Sequence, residues 1–215
     1  MAIDYADQWA TAPRPYNSPP YDDFTDWGGD CTNFVSQCIF AGNAPMVNDN
    51  VSCGDYCIGT NGWYYRDLNH RSAAWTLVER LKNFIVDETQ TWSGGPEGCL
   101  TTISNVYLGD VIQYEKVGDP DTDWDHSVII TDLIDMGNGE MFPLVASHTP
   151  DLLDYPYNQI IAATHRYIHI ERVDDLSIHL PLILGTDYYS KISTSAYPAP
   201  ATSTDNLWFS AYPSP

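Results

Sequence analysis

Basic side chains are scarce in this 215-residue chain, which has 9 Lys and Arg against 29 Asp and Glu and a formal net charge of −20 at pH 7. Binding to nucleic acid or to an anionic membrane surface depends on basic side chains, so the composition argues against both kinds of partner. No apolar run approaches the ~20 residues that a membrane-spanning helix needs. The opening MAIDYADQWATAPRP lacks the basic start and apolar block of a secretory signal, so no signal peptide is predicted. The charge balance leaves neutral, cationic and peptide-like ligands open.

Cysteine is also sparse, and its number is odd. The five are Cys31, Cys38, Cys53, Cys57 and Cys99, so at least one stays free or pairs between chains. The spacing of Cys53 and Cys57 does not match a zinc knuckle, and no second half follows, so no metal site is predicted there. These two form either a local disulfide, in an oxidising compartment, or two free thiols.

Helical spacing of apolar residues occurs in the first half of the chain and strand-like runs occur in the second half. A helix that Asp30 can cap is expected up to Gly42, with Cys38 on its buried side. This order of elements predicts an α+β domain whose helices pack on an antiparallel sheet. The predicted helices are residues 2–12, 30–42 and 72–86, and the predicted strands are 110–116, 126–134, 141–149 and 161–173, with 135–140 as a hairpin connection.

The composition changes near residue 185 to Ser, Thr, Ala, Pro and Tyr, and SAYPAP recurs as SAYPSP. We therefore divide the chain into a domain at 1–184 and a C-terminal arm at 185–215. The arm is either a ligand for a partner or, as its aromatic content favours, a segment that lies on the domain.

Cys31, in the stretch GGDCTNFVSQCIFAG, has the features of a nucleophile. In the first turn of the predicted helix, the helix dipole favours a thiolate and lowers the pKa of the thiol. His126 opens one strand of the predicted hairpin and His148 closes the other, so the two should be neighbours. Such a pair suits a general base that a third polar group orients. The alternative is a structural cysteine that starts an ordinary helix.

The same stretch resembles the signature of the putative amidase domain family. The segments YADQW, YNSPPYDDF, GWYY, SAAW, LGDVIQY, DHSVIITD and SHTPD also follow in that family's order, over residues 5 to 155. More broadly, Cys31 followed by His126 and a third polar residue resembles NlpC-type and CHAP cell-wall peptidases. The resemblance implies a papain-like domain with Cys31 as nucleophile, His126 as base and His148 in the third position.

Four further residues are candidates for supporting parts under this resemblance. Asp151 and Asn33 are alternatives to His148 as the orienting group. Tyr21 is placed where its hydroxyl could hydrogen-bond near the oxyanion, and Asp30 directly precedes the nucleophile.

The implied activity is hydrolysis of a peptide or peptidoglycan amide through a thioester, with no cofactor. Two other functions stay open, which are acyl transfer to an amine and a catalytically silent binding module. The resemblance also favours an extracellular or cell-envelope location.

An acidic run, DPDTDWD at Asp119–Asp125, has the alternating aspartates of a calcium loop. It lacks the glycine of an EF-hand at its sixth position, where Trp124 stands, and the glutamate at its twelfth, where Ile130 stands. A looser calcium cage beside His126 is the lesser alternative. We expect a solvated acidic loop that raises the pKa of His126.

Overall fold

The structure is a computed structural model that describes residues 1–12, 21–48, 57–59, 62–86, 94–118, 123–137 and 139–173. The predicted arm at 185–215, its boundary with the domain, and Cys53 lie outside the described residues. Of the acidic run, residues 123–125 are described.

The first two of the three predicted helices are present in the structure. The predicted third helix is interrupted at Leu77, whose backbone is extended (φ −111°, ψ 131°) and whose side chain is 52% exposed. The α-helices of the described residues are α1 (Ala2–Trp9), α2 (Cys31–Ala41), α3 (Ala73–Thr76) and α4 (Val78–Val86).

The sheet is antiparallel, as predicted, and the hairpin between the second and third predicted strands is confirmed, with Ile129 opposite Ala146. Six strands form one sheet in the order β10-β9-β8-β7-β11-β6, and the short strands form two small sheets, β1-β3 and β2-β5-β4. Strands β6 and β10 were not predicted. The strands are β1 (Val47–Asn48), β2 (Cys57–Gly59), β3 (Gly62–Trp63), β4 (Tyr65–Asp67), β5 (His70–Ser72), β6 (Glu97–Thr101), β7 (Val111–Glu115), β8 (His126–Asp135), β9 (Met141–Ser147), β10 (Leu152–Pro156) and β11 (Thr164–Arg172).

The two faces of the six-stranded sheet bury separate apolar clusters, because successive strand residues point to opposite faces. Helix α2 covers one face, and Cys38 is fully buried there, as predicted. The mixed α+β class is therefore confirmed. The helix-side cluster includes Phe34, Val35, Ile39, Val111, Ile129, Ala146 and Ile168, and the opposite cluster includes Ile112, Tyr114, Val128, Ile130 and Val145.

Ser127, at the start of β8, fixes α2 against the sheet. Its hydroxyl lies 3.1 Å from the Thr32 hydroxyl and accepts a 3.0 Å hydrogen bond from the Gln113 side-chain amide. Gln113 also donates to the Val78 carbonyl at 2.9 Å. Since Ser127, Thr32 and Gln113 are all buried, these bonds hold the first turn of α2 against β8 in a fixed register.

Candidate active site

Cys31 is the first residue of α2 and lies at the floor of a pocket that His126 also lines. The thiol side chain is 7% exposed. Its sulfur accepts a hydrogen bond from the backbone N–H of Ser127, the chain neighbour of His126, and lies 3.8 Å from the Thr32 hydroxyl. Helix α2 and strand β8 thus bring the predicted nucleophile and the predicted base to one pocket.

The environment of Cys31 differs from the predicted one. Burial raises the pKa of the thiol, and the nearby Asp30 carboxylate adds to the rise. Hydrogen bonds from the Ser127 backbone and from Thr32 act in the opposite direction but are outweighed. The Cys31 side chain is therefore a neutral thiol and not the thiolate that its place at a helix start predicts.

His126 is half-buried at the wall of the pocket, and its pKa is lowered to about 4 by burial and by repulsion from the Lys116 ammonium. The expectation that the acidic run raises this pKa is wrong. Asp125 turns to Lys116, with one carboxylate oxygen 3.3 Å from the ammonium and the other accepting the Lys116 backbone N–H at 2.7 Å. The Nε2 atom of His126 is buried and has no hydrogen-bond partner among the described residues. At neutral pH the ring is uncharged and able to accept a proton.

His148 lies elsewhere than predicted. Its Nδ1 is 2.7 Å from a carboxylate oxygen of Asp30 and its Nε2 is 3.0 Å from the Trp9 carbonyl oxygen, so neither nitrogen hydrogen-bonds to His126. The reason is the strand register. Ile129 pairs with Ala146, so two residues further along the antiparallel pair His148 lies opposite Ser127. His148 therefore points to the same face of the sheet as Ser127. The ring is fully buried there, under α2.

Asp30 precedes α2, but its carboxylate does not cap the helix. One oxygen accepts the Phe24 backbone N–H at 2.9 Å and the Asn33 side-chain amide at 2.8 Å, and the other oxygen faces His148. Its own backbone N–H donates to the Thr149 hydroxyl at 2.7 Å. The capping prediction is replaced by a buried hub that joins the segment before α2 to the end of β9.

Asn33 uses its whole amide in anchoring the chain. The nitrogen donates to Asp30 and, at 3.0 Å, to the Asp22 carbonyl, and the oxygen accepts the Trp75 indole N–H at 2.8 Å. The structure therefore does not bring Asn33 to His126.

Tyr21 and Asp151 are also apart from the pocket. The Tyr21 ring stacks on Trp75 with 5.9 Å between ring centroids, and burial raises the pKa of its hydroxyl. Asp151 is exposed in the turn between β9 and β10. Neither lines the pocket that holds Cys31 and His126.

The structure adds pocket residues that sequence reasoning missed. Gly28 and Gly29 form one rim, with φ of +107° and +123°, values that side chains disfavour. The glycine pair next to Asp30 was a visible signal for this rim. The apolar wall has no such signal, because Leu152 belongs to an unpredicted strand and Ile160 and Ile161 follow it in irregular chain.

No group of three or more His, Cys, Asp or Glu side chains suited to a metal ion occurs within the described ranges. Residues 119–122 of the predicted calcium loop lie outside those ranges. Within the same ranges, no helix has the length and apolarity needed to cross a membrane.

Comparison with known proteins places the chain among relatives from Bacillus subtilis (strain 168). It is 28% identical over 178 residues to the uncharacterized protein YhbB, a match that covers 81% of this chain and 50% of YhbB. It is 30% identical over 162 residues to the uncharacterized protein YjcM, with 72% of this chain and 31% of YjcM covered. The chain thus spans half or less of the length of these relatives.

No solved structure matches the chain. The family described as putative amidase domain matches residues 1–170, a span that contains α1, the Cys31 helix, the β8–β9 hairpin and nearly all of β11. The chain therefore belongs to the putative amidase domain family.

Proposed function

We propose that this protein is an amide hydrolase that uses Cys31 as nucleophile and His126 as general base. The single observation that carries the proposal is their place in one pocket, where the Cys31 sulfur accepts a hydrogen bond from the residue next to His126. Membership of the putative amidase domain family supports amide hydrolysis as the reaction. The papain-like fold and a relationship to NlpC-type and CHAP peptidases belong to the same proposal.

The Cys31 thiol and the His126 imidazole are both neutral at rest, so the reaction begins with proton transfer. His126 takes the thiol proton as the Cys31 sulfur attacks the amide carbon, and the charge develops on the carbonyl oxygen. The backbone N–H of Cys31 lies in the first turn of α2, where N–H groups have no partner within the helix, and can donate to that oxygen. His126 then gives its proton to the leaving amine, the C–N bond breaks and a thioester forms. Water that His126 deprotonates attacks the thioester carbon, the C–S bond breaks to release the carboxylic acid product, and the proton on His126 returns to the Cys31 sulfur.

The pocket wall favours an acyl group with an apolar side chain. Leu152, Ile160 and Ile161 line one side, while Gly28 and Gly29 on the rim leave open space in which an added Cβ would meet nothing within 4 Å. An extended peptide fits such a rim, because its backbone can approach the protein backbone closely there. We propose a peptide or peptidoglycan amide as substrate, and a location at the cell envelope follows from a cell-wall substrate.

The test is digestion of purified peptidoglycan and of peptides, with identification of the new end groups by mass spectrometry. Cys31→Ala should abolish cleavage, whereas Cys38→Ala, which changes a fully buried thiol on the same helix, should retain it. His126→Gln should lose at least 100-fold in kcat, the usual contribution of general base catalysis at the low end.

Three other results would refute the nucleophile or reassign the protein. Cleavage that survives in Cys31→Ala refutes the nucleophile. If a primary amine is present and the product is an amide of that amine rather than a free carboxylate, the reaction is acyl transfer. If the wild type binds these substrates and leaves every amide intact, the protein is a binding module that keeps the fold.

A further inference from the structure

A buried pair of titratable side chains, Asp30 and His148, lies directly beneath the start of α2 and takes no part in the proton transfers above. We propose that the two form an ion pair whose part is to position Cys31 and to balance charge beside it. This inference rests on the proposed function, since it assigns His148 to the nucleophile rather than to the base.

The hydrogen-bond partners of His148 indicate its protonation state. The Trp9 carbonyl oxygen, 3.0 Å from Nε2, can only accept, so Nε2 carries a hydrogen. The Asp30 oxygen lies 2.7 Å from Nδ1, so a single proton lies between these two atoms. The state of the pair depends on whether that proton belongs to the carboxylate or to the ring.

The surroundings of Asp30 favour the ionised carboxylate. Its other oxygen accepts two N–H donors, from the Phe24 backbone and from the Asn33 amide. The Asn33 amide cannot be turned the other way, because its oxygen accepts the indole N–H of Trp75, which can only donate. Two donors on one oxygen stabilise the charged form, so the proton resides on His148 and the ring is an imidazolium.

The pair is sealed from solvent. Asp30 and His148 are both 0% exposed, and the imidazolium stacks on the Phe34 ring with 4.1 Å between ring centroids. A cation over an aromatic face is attracted to it. In such a site each charge depends on the other, so a change in either one leaves the partner uncompensated.

The pair affects Cys31 through Asp30, because Asp30 directly precedes Cys31 in the chain. An uncompensated carboxylate at this point would oppose formation of the thiolate, and the imidazolium of His148 offsets it. The bond to the Trp9 carbonyl also connects the end of α1 to this hub. The other titratable and charged groups around the pocket lie on three strands and the chain between two of them: His126 on β8, Tyr114 and Glu115 on β7, Lys116 and Asp125 beyond β7, and Tyr155 on β10.

Two substitutions change the charges of the Asp30–His148 pair while keeping most of its hydrogen bonds. Asp30→Asn can still accept from Phe24 and Asn33 and can donate to a neutral His148. His148→Asn can still donate to the Asp30 carboxylate from the Nδ1 position. His148→Asn leaves the Asp30 charge without its partner, whereas Asp30→Asn and the double variant leave neither charge.

The measurement is the rate of alkylation of Cys31 by iodoacetamide against pH, followed by peptide mass spectrometry in the full chain. At a pH below the pKa of the Cys31 thiol, His148→Asn should slow alkylation roughly tenfold, because one unit of pKa is a tenfold change in the thiolate fraction. Asp30→Asn, which leaves no charge in the pair, should stay near the wild-type rate. The double variant should lie near the wild type. Cys99, whose thiol donates to Glu171 on the sheet edge, serves as internal control and should not change.

Slower alkylation in His148→Asn and its recovery in the double variant support the ion pair, whereas loss of a purely structural pair would leave the double variant at least as slow as His148→Asn. An unchanged rate in His148→Asn, or a double variant as slow as His148→Asn, overturns the proposal. If His148→Asn does not fold by circular dichroism, His148→Gln takes its place, because it also leaves the Asp30 charge without its partner and can donate to the Trp9 carbonyl from the Nε2 position. A His148→Gln rate equal to the wild type then refutes the pair. Alkylation does not need turnover, so a protein that shows these shifts but cleaves no amide refutes the proposed function alone.

Discussion

Asn33→Ala is expected to destabilise the protein strongly although Asn33 lies outside the pocket. The change removes a hydrogen bond to the ionised Asp30 carboxylate, worth about 1.5–3 kcal/mol, and leaves the buried indole N–H of Trp75 without its partner, at about 1–3 kcal/mol. Alanine recovers about 0.5 kcal/mol of helix propensity. Because the lost contacts share one network, we expect a net loss of about 3–5 kcal/mol in the free energy of unfolding.

The assay is urea denaturation followed by tryptophan fluorescence and by circular dichroism. With a slope of about 2 kcal/mol per M urea, the midpoint should fall by about 2 M. The matched control is Asn83→Ala, an exposed asparagine on α4, which should change the free energy of unfolding by less than about 0.5 kcal/mol. A loss below about 1 kcal/mol in Asn33→Ala would refute the reasoning, since the hub around Asp30 would then not depend on this amide.

Two further predictions concern the pocket. The pKa of His126 in the folded protein, about 4, lies below the value near 6.5 of an unfolded chain, so its contribution to stability is complete above pH 6.5 and is lost as the pH falls to 4. In urea titrations His126→Gln should therefore show up to about 3 kcal/mol less destabilisation between pH 7 and pH 4 than the wild type, and equal losses would contradict the assigned environment. Gly29→Ala and Gly137→Ala place a side chain at φ of +123° and +78°, and each should cost about 1–3 kcal/mol from backbone strain. Only Gly29→Ala should also change the alkylation rate of Cys31, because Gly29 lines the pocket, and an equal effect of Gly137→Ala would disprove a local role.

The sequence was sufficient to predict the parts of the fold with strong local patterns. Helix α2 has an apolar stripe ending at Gly42, and the β8–β9 hairpin has two β-branched runs around a glycine-containing turn. Strands β6 and β10 were missed because they are the two outer strands of the sheet and are only half-buried, so neither carries a clear alternation. Hydrophobic periodicity in a sequence arises from burial of one face of an element, and edge strands bury less of their surface.

The candidate site was predictable in composition but not in detail. Cys31 and His126 could be paired from motif and element order, but the side to which His148 points depends on register, where a shift of one residue reverses the face. The directions of the pKa shifts at Cys31 and His126 could not be predicted from the neighbouring residues in the sequence either. They depend on burial in the assembled pocket and on the pairing of Asp125 with Lys116 rather than with the histidine.

The two consecutive residues His126 and Ser127 have a consequence for how this protein can vary. Ser127 holds β8 to the first turn of α2, and the hairpin before it is closed by the bonds of Asp125 to the backbone of Lys116 and Tyr114. Insertions or deletions between Lys116 and Asp125 should therefore leave the distance between the Cys31 thiol and the His126 imidazole unchanged. That connection is the place where a new binding segment could be grafted beside the pocket while Cys31 and His126 keep their geometry.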